Sequence, residues 1–530
     1  MEETGPRHYT RWPVVEGYAG EQSFAPGDEV DVHCASRADR FSAEVHRIGA
    51  DRELVWRRHG IVGIDHPVPE AAWRDGCDWP VTFTVPTGPD WPSGYYEISL
   101  LAEGHGEAAR SEAFFVLRRA EAAEPAGALL VLATNTWQAY NQWGGRCMYS
   151  GATRVSFRRP LERGYLRRPS APEEVEFDGR LANTERPSDP THARLLRYQA
   201  EQQYPLWTDS TGWHNWERRF VAWAERRGYR LDYAVNADLE RRPEAVDGHR
   251  LLLSVGHDEY WSWGMRDTVD AFVEAGGNLA VFSGNTCNWQ VRYDDDGASM
   301  ICHKGRARRD DPVRDGPMPE RLTSMWSDPR IGRPETETIG LSFSRGGYHR
   351  VGLGVPDGDG SYRVHRPEHW ALAGTGLAEG DTFGGEHFVV AYEVDGCALT
   401  DVDGRPEPTH EDGAPETLQV IATAPARLLS ITDEVCEAPA GLWASLDPPG
   451  DLEGIAWLLF GSASPEHVAR LAATRAVMAS FTKGGGEVVN AGTTDWSYAL
   501  ADPVVDRITR NVLDRLGRRG SRFADDSGEE

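Results

Sequence analysis

Residues 127–134 read GALLVLAT, a short and continuously apolar run. Such a run cannot keep one face in water, so it is expected to be a strand buried on both sides in a parallel sheet. Three more runs of this kind follow at Arg230–Val235, Arg250–Val255 and Asn278–Ser283, and a helical stretch near Trp263–Ala275 lies between the last two. Trp216, Phe220 and Trp223 recur at i, i+4 and i+7, which puts them on one helix face. Strand and helix in alternation predict βαβ units, hence an α/β fold with a doubly wound parallel sheet. Near the end Asp502 can cap a helix with Pro503 in its first turn; Val505, Ile508, Val512 and Leu516 form the apolar face, and Gly517 stops it. Residues 287–340 are rich in Arg, Asp and Pro and are expected to leave the sheet, whereas 340–435 turns β-rich again, as in Phe388–Val394 and Leu418–Ala422.

On the other side of the run, Arg118–Gly127 has the Ala, Glu and Pro content of a linker. Before it, Glu29–Cys34, Phe41–Arg47, Pro80–Val85 and Gly94–Leu101 alternate in steps of two between turn residues, the pattern of an antiparallel β-sandwich. The expected organisation is therefore a sandwich over 1–122, an α/β domain over 123–518 and an acidic tail over 519–530.

Against 83 acidic side chains stand 56 basic ones, and a net charge of −27 disfavours nucleic acid and anionic membrane surfaces as partners. No apolar run approaches the length of about 20 residues that a membrane helix needs, and Met1-Glu2-Glu3 lacks the layout of a signal peptide, so a cytoplasmic location is expected. Seven scattered cysteines without a C-x-x-C pair argue for reduced thiols. Lys304 and Lys483 are the only lysines, which reads as codon bias rather than as a functional signal.

Ligands of an open parallel sheet sit beyond the carboxyl ends of its strands. Asn135–Asn141, Gly256–Trp261 and Gly284–Cys287 occupy that place, and Trp137, Trp143, Trp261 and Trp289 beside them suggest a partly apolar pocket. The His-x-Glu of His257 and Glu259 lacks the P-C-x-x-C that a zinc deaminase requires; H-E-x-x-H, G-x-S-x-G and Walker A patterns are absent, and Asp294-Asp295-Asp296-Gly297 lacks the further spacing of a calcium loop. Taken singly, each residue has an ordinary reading: Tyr140 and Tyr149 as core aromatics, Glu259 as a helix-start acid, His257 as a bonded core histidine, Asn285 as a cap, Glu393 as a solvent-facing strand residue and Cys287 as a buried thiol.

The blocks ATNTWQAYNQWGG (133–145), CMYSG (147–151), LLLSVGHDEYWSWGMRD (251–267), NLAVFSGNTCNWQVR (278–292), VVAYEVDG (389–396) and VNAGTTDWSYALADPVVDRITRNVLDRL (489–516) together resemble, in order, the C-terminal region of the N,N-dimethylformamidase large (beta) subunit. The resemblance covers about residues 128–517. It implies a fold similar to class I glutamine amidotransferases behind a β-sandwich, and a mononuclear Fe(III) held by two tyrosinates and a glutamate, which fall on Tyr140, Tyr149 and Glu259. Tyr165, Tyr198 or Tyr204 are the alternatives for the second tyrosinate, because the family has a longer insert between its tyrosines and Met148-Tyr149-Ser150 departs from its Leu-Tyr-Asp. His257, Asn285 and Glu393 match the family's substrate-facing residues.

Three anionic oxygens suit a hard ferric ion, which can polarise an amide carbonyl and supply hydroxide near neutral pH, with Glu393 moving the proton and His257 and Asn285 stabilising the oxyanion. The resemblance thus implies a hydrolase of small linear amides, with a homodimer or larger assembly and a small partner subunit as possible company. Asp258 stands where dimethylformamidases often have Pro, which leaves the substrate open. A rival reading is a metal-free carbohydrate- or ligand-binding protein with a Trp-rich crevice; a third centres on the Cys287 thiol.

Overall fold

The computed structural model describes residues 14–105, 109–168, 197–198, 201–205, 207–294, 296–349, 358–432 and 450–517, with two short strand pieces at 176–177 and 180–181. The expected acidic tail over 519–530 lies outside these residues. The four apolar runs are strands: Ala128–Leu132, Leu231–Val235, Leu251–His257 and Asn278–Gly284. They belong to a nine-stranded sheet whose order is Leu231–Val235, Ala128–Leu132, Leu251–His257, Asn278–Gly284, Gly486–Asn490, Arg475–Lys483, Gln419–Pro425, Tyr362–Val364 and Thr382–Phe383.

Alternate residues of these strands enter two different cores. Leu130, Leu132, Leu253, Val255 and Phe282 pack with Phe220, Trp496, Val505, Ile508 and Val512. Leu129, Val131, Leu252, Leu279 and Val281 pack with Met265, Val269 and Val273. Both faces are therefore covered, by the helices Glu217–Arg226 and Pro503–Leu516 on one side and Trp263–Glu274 on the other. Asp502 caps the last helix as expected, accepting from the backbone N–H groups of Val504 and Val505.

A purely parallel sheet is not what forms. The first five strands run parallel, but Arg475–Lys483 pairs antiparallel with both of its neighbours, and the remaining strands continue antiparallel. The cause is local: Lys483 faces Gly486 across the two-residue turn Gly484-Gly485, and so short a connection can only reverse the chain. The sheet is mixed.

The described residues between 14 and 117 form a three-stranded and a five-stranded β region around a shared core that includes Val32, Phe41, Phe83, Ile98 and Phe115. Two strands besides the expected ones stand out, Arg52–Val62 and Arg110–Leu117. This region packs on the α/β body through Tyr95, whose ring stacks on Trp213 at 4.0 Å, and Phe114, 5.1 Å from Trp137. The expected excursion at 287–340 does leave the large sheet: Trp289–Tyr293 and Ser299–Ile301 join Arg154–Ser156 and Tyr260–Ser262 in a four-stranded sheet beside it. No helix among the described residues is long and apolar enough to cross a membrane.

Candidate active site

Strands Leu251–His257 and Asn278–Gly284 pair in parallel so that His257 stands opposite Gly284, and Asn285 follows at once. Their ends are set by two glycines. A Cβ at Gly256, where φ is +88°, would lie 2.4 Å from the Cβ of Trp216, and one at Gly284 would lie 2.2 Å from the carbonyl oxygen of Glu393. The bare backbone at these points lets Trp216 and the strand Glu393–Gly396 close on the strand ends. Asn285 and Cys287 both take positive φ, 50° and 55°, so the chain turns sharply as it leaves the sheet.

Glu259 is held from several sides. Its backbone N–H donates to Thr136 Oγ1 at 2.9 Å, which ties it to the short helix Thr134–Tyr140. Its carboxylate accepts from Tyr149 Oη at 2.7 and 3.0 Å and from Trp289 Nε1 at 2.7 Å, and lies 3.4 Å from His257 Nε2. Tyr260 Oη donates to Tyr149 Oη at 3.0 Å. Tyr140, the last residue of its helix, brings its ring to 4.3 Å from that of Tyr149 and 5.7 Å from His257, and its hydroxyl makes no hydrogen bond to a described residue.

On the other side of His257 stands Glu393, with Nε2 and Oε2 2.7 Å apart. His257 Nδ1 donates to the Ser210 carbonyl at 2.8 Å. Burial alone would lower this imidazole's pKa, but the charge and hydrogen bond of Glu393 and the charge of Glu259 carry it up to about 9, so both ring nitrogens hold protons at neutral pH. Asn285 Nδ2 donates to Glu393 Oε2 at 3.2 Å, while its Oδ1 is buried without a protein partner among the described residues. Glu393 itself is 3% exposed, contrary to its plain strand reading. It is steadied through Asp495, which accepts from Trp216 Nε1 and from the backbone N–H of Tyr392.

The six singled-out residues Tyr140, Tyr149, Glu259, His257, Asn285 and Glu393 thus meet in one place. Among the tyrosines weighed for the second oxygen, Tyr149 is the one that touches Glu259. Tyr165 Oη donates to the Tyr140 carbonyl, and Tyr198 and Tyr204 face each other at 5.9 Å. Cys287 lies fully buried in the core on Met265 and Trp261, and burial pushes its thiol well above the ordinary range, which disfavours it as a nucleophile. Asp258 turns away from the cluster: it accepts from Asn236 Nδ2 at 3.0 Å and Ser254 Oγ at 2.9 Å.

The expected tryptophan walls need correction. Trp289 reaches Glu259, but Trp261 faces the opposite way from its strand neighbour Tyr260, as alternation demands, and packs in the other core. Trp137 donates to Glu217, and Trp143 to Glu16 against the N-terminal β region. Trp207, 5.5 Å from Tyr140 and 5.0 Å from Tyr149, and Trp216, 5.9 Å from His257, are the aromatics that close the site. Lys304 was missed as well. Its Nζ lies 3.1 Å from the Tyr149 ring centroid and 5.2 Å from that of Trp289, on a residue with φ of 54°. Burial lowers it to about 8 against the pull of Glu259, so it still carries most of its charge at neutral pH. The signal was present: a chain that uses arginine almost everywhere keeps lysine here, where a compact point charge is needed over an aromatic face.

No curated protein matches the chain. The family described as N,N-dimethylformamidase beta subunit-like, C-terminal, matches residues 42–510, which reaches back from the α/β body into the N-terminal β region. With that match spanning well over half of its length, the chain belongs to the N,N-dimethylformamidase beta subunit-like family.

Proposed function

We propose that the protein is a hydrolase of small linear amides whose cofactor is a mononuclear Fe(III) held by Tyr140, Tyr149 and Glu259. The observation that carries this reading is the oxygen cluster: Tyr149 Oη stands 2.7 and 3.0 Å from the two oxygens of Glu259, and the Tyr140 ring lies 4.3 Å from that of Tyr149, so these residues would be the ones to hold the ion. Burial first, and then the charge of Glu259, pushes both phenols well above the ordinary range, so they stay protonated unless a cation takes the protons' place. Three anionic oxygens balance a trivalent hard ion, and Tyr140, 2% exposed, has its hydroxyl free of other bonds to described residues.

When bound, the ferric ion supplies Lewis acidity toward an amide carbonyl and acidifies water. The rest is done by the chain. Glu393 accepts a proton from the attacking water through its carboxylate and returns it to the leaving amine nitrogen. The His257 imidazolium, fixed by Ser210, keeps that carboxylate in place and faces the developing negative charge with its second N–H. Asn285 orients Glu393 through Nδ2 and offers Oδ1 to an N–H of substrate or water. Trp207, Trp216 and Tyr392, whose ring is 5.9 Å from that of His257, exclude bulk water and favour a small substrate of low polarity.

The family description names a beta subunit, and a small partner subunit or self-association is part of this proposal. The test is to purify the protein without added metal, measure its iron and record its visible spectrum. Near-stoichiometric iron with a tyrosinate-to-iron band that Tyr140→Phe abolishes, and amine release from N,N-dimethylformamide or another small amide, are expected. Colourless protein that takes up no iron on reconstitution would overturn the reading.

A further inference from the structure

The carbonyl that fixes His257 belongs to a run of turns, residues 207–216, and this loop supplies three parts of the site: Trp207 beside Tyr140 and Tyr149, the Ser210 carbonyl on His257 Nδ1, and Trp216 beside the His257 ring. Ser210 Oγ also accepts from Tyr392 Oη at 3.1 Å. A loop holds such groups only as firmly as the scaffold under it. Polar contacts tie this one to the α/β body: Arg168 donates to the Thr208 carbonyl at 2.9 Å and to Asp209 at 3.1 Å, the His214 N–H donates to the Tyr165 carbonyl at 3.0 Å, and Trp216 Nε1 donates to Asp495 at 2.8 Å.

The middle of the loop has a different anchor. Just after Gly212, whose φ of +102° takes the backbone so close over Tyr165 that a Cβ would lie 2.5 Å from its carbonyl oxygen, the fully buried ring of Trp213 lies flat on Tyr95, with centroids 4.0 Å and planes 12° apart. Tyr95 belongs to the strand Gly94–Ala102 of the N-terminal β region, which is buried on both faces. Tyr96, Ile98 and Leu100 enter the core of the β region, whereas Tyr95 points the other way, into the core that holds Leu130, Leu132 and Leu253 of the large sheet. Phe114, stacked at 5.8 Å, and Trp137, edge-on at 6.5 Å, hold the Tyr95 ring in turn. Its hydroxyl makes no hydrogen bond to a described residue, so Tyr95 contributes a flat ring and not a polar end.

We propose that the N-terminal β region is part of the catalytic unit and that Tyr95 is a positioning residue: its ring, stacked on Trp213, fixes the place of the loop 207–216 and through it the Ser210 carbonyl that orients His257. The catalytic half of this inference rests on the reading of His257 given above; the anchoring of the loop by Tyr95 does not.

The test combines hydrogen exchange of the full chain, read by mass spectrometry, with steady-state amide hydrolysis and iron content on the same preparations. In Tyr95→Leu the peptides holding Ser210 and His214, whose N–H groups donate to the Trp207 and Tyr165 carbonyls at 3.0 Å each, should exchange at least about tenfold faster. A misplacement of about 1 Å can cost about 100-fold in rate, so kcat should fall at least about tenfold, with KM within about threefold and iron retained, since none of the proposed donors to iron lies on the loop. Tyr95→Phe keeps the flat ring and should match the parent in both readouts. Phe83→Leu, in the β region's own core, should lower the melting temperature without moving either. Tyr95→Met, which fills the space without a flat face, decides the matter if Tyr95→Leu does not fold. Unchanged loop exchange or unchanged kcat in a folded Tyr95→Leu or Tyr95→Met, or the same losses in Tyr95→Phe or Phe83→Leu, would overturn the proposal. Faster loop exchange in a chain that takes up no iron and hydrolyses no amide would sink the hydrolase reading and uphold Tyr95 as the anchor of the loop.

Discussion

Glu393→Gln separates the proton carrier from the iron donors. Gln has the shape of Glu and can still accept from Asn285 Nδ2, so the contacts at 2.7 Å to His257 and 3.2 Å to Asn285 persist in outline. What is lost is the charge and the basic oxygen. General acid–base groups contribute roughly 10²- to 10⁴-fold, so kcat should fall by about that factor, or ~3–5 kcal/mol at about 1.4 per tenfold. Because Glu393 reaches the substrate and not the oxygen cluster, the effect should lie in kcat more than in KM. The imidazolium of His257 also loses the neighbour that most raises it, so its pKa should drop from about 9 and the activity of the residual enzyme should change at lower pH than in the parent. The assay is steady-state amine release from a small amide, with iron content measured on the same preparation. A rate within a few-fold of the parent with iron retained would refute the proton-carrier role, and loss of iron together with activity would make Glu393 a fourth donor and refute the assignment of the cluster.

Lys304→Met removes a buried ammonium that stands over Tyr149 with or without iron and that is drawn to Glu259, so the repulsion of a trivalent ion falls and iron should be held at least as tightly in a chelator competition. Tyr260→Phe takes away the donor to Tyr149 but neither proposed tyrosinate, so the visible band should remain at near-full intensity, where Tyr149→Phe should reduce it. Gly284→Ala places a Cβ 2.2 Å from the Glu393 carbonyl and 2.6 Å from the Thr494 backbone N–H, both rigid, and should lower stability by about 1–3 kcal/mol or more and displace Glu393; a melting curve and the same rate assay read both effects. Burial lifts Glu217 up to about 8, so the folded chain keeps a proton that the unfolded chain releases near 4.5. Its contribution is therefore whole at pH below about 4.5 and is lost as pH rises to about 8, and Glu217→Gln should flatten the fall in denaturant stability across that window and gain up to a few kcal/mol at its upper end.

The parallel half of the sheet was legible because strands buried on both faces must be apolar throughout, and no other short element has that need. The antiparallel half was harder to read: Arg475–Lys483 and Gly486–Asn490 are joined through Gly484-Gly485, a hairpin signal that lies outside the apolar runs from which the βαβ rhythm is read. Arg52–Val62 escaped notice for the opposite reason. It pairs on one side only, with Arg40–Ile48, and most of its residues stay in water, so no alternation marks it, and its arginines discourage further pairing at the open edge.

The active-site cluster shows the same division between local and non-local information. His257 and Glu259 sit two apart on one strand end and Asn285 ends the neighbouring strand, so parallel register alone brings them together. Tyr140 and Glu393 arrive by longer routes: Tyr140 was marked by its place after the first strand, and Glu393 by the family blocks. Trp207 and Lys304 come from segments outside the large sheet, and their placement depends on how the side sheet of Tyr260–Ser262 and Trp289–Tyr293 folds back over Glu259. That side sheet is the step the sequence hides: Trp289 and Tyr260 pair across it, one donating to Glu259 and the other to Tyr149, so a segment with no apolar pattern of its own sets the spacing of the two oxygens on which the proposed chemistry turns. A change that loosens this pairing, far more than one in the large sheet, should therefore alter iron affinity before it alters stability.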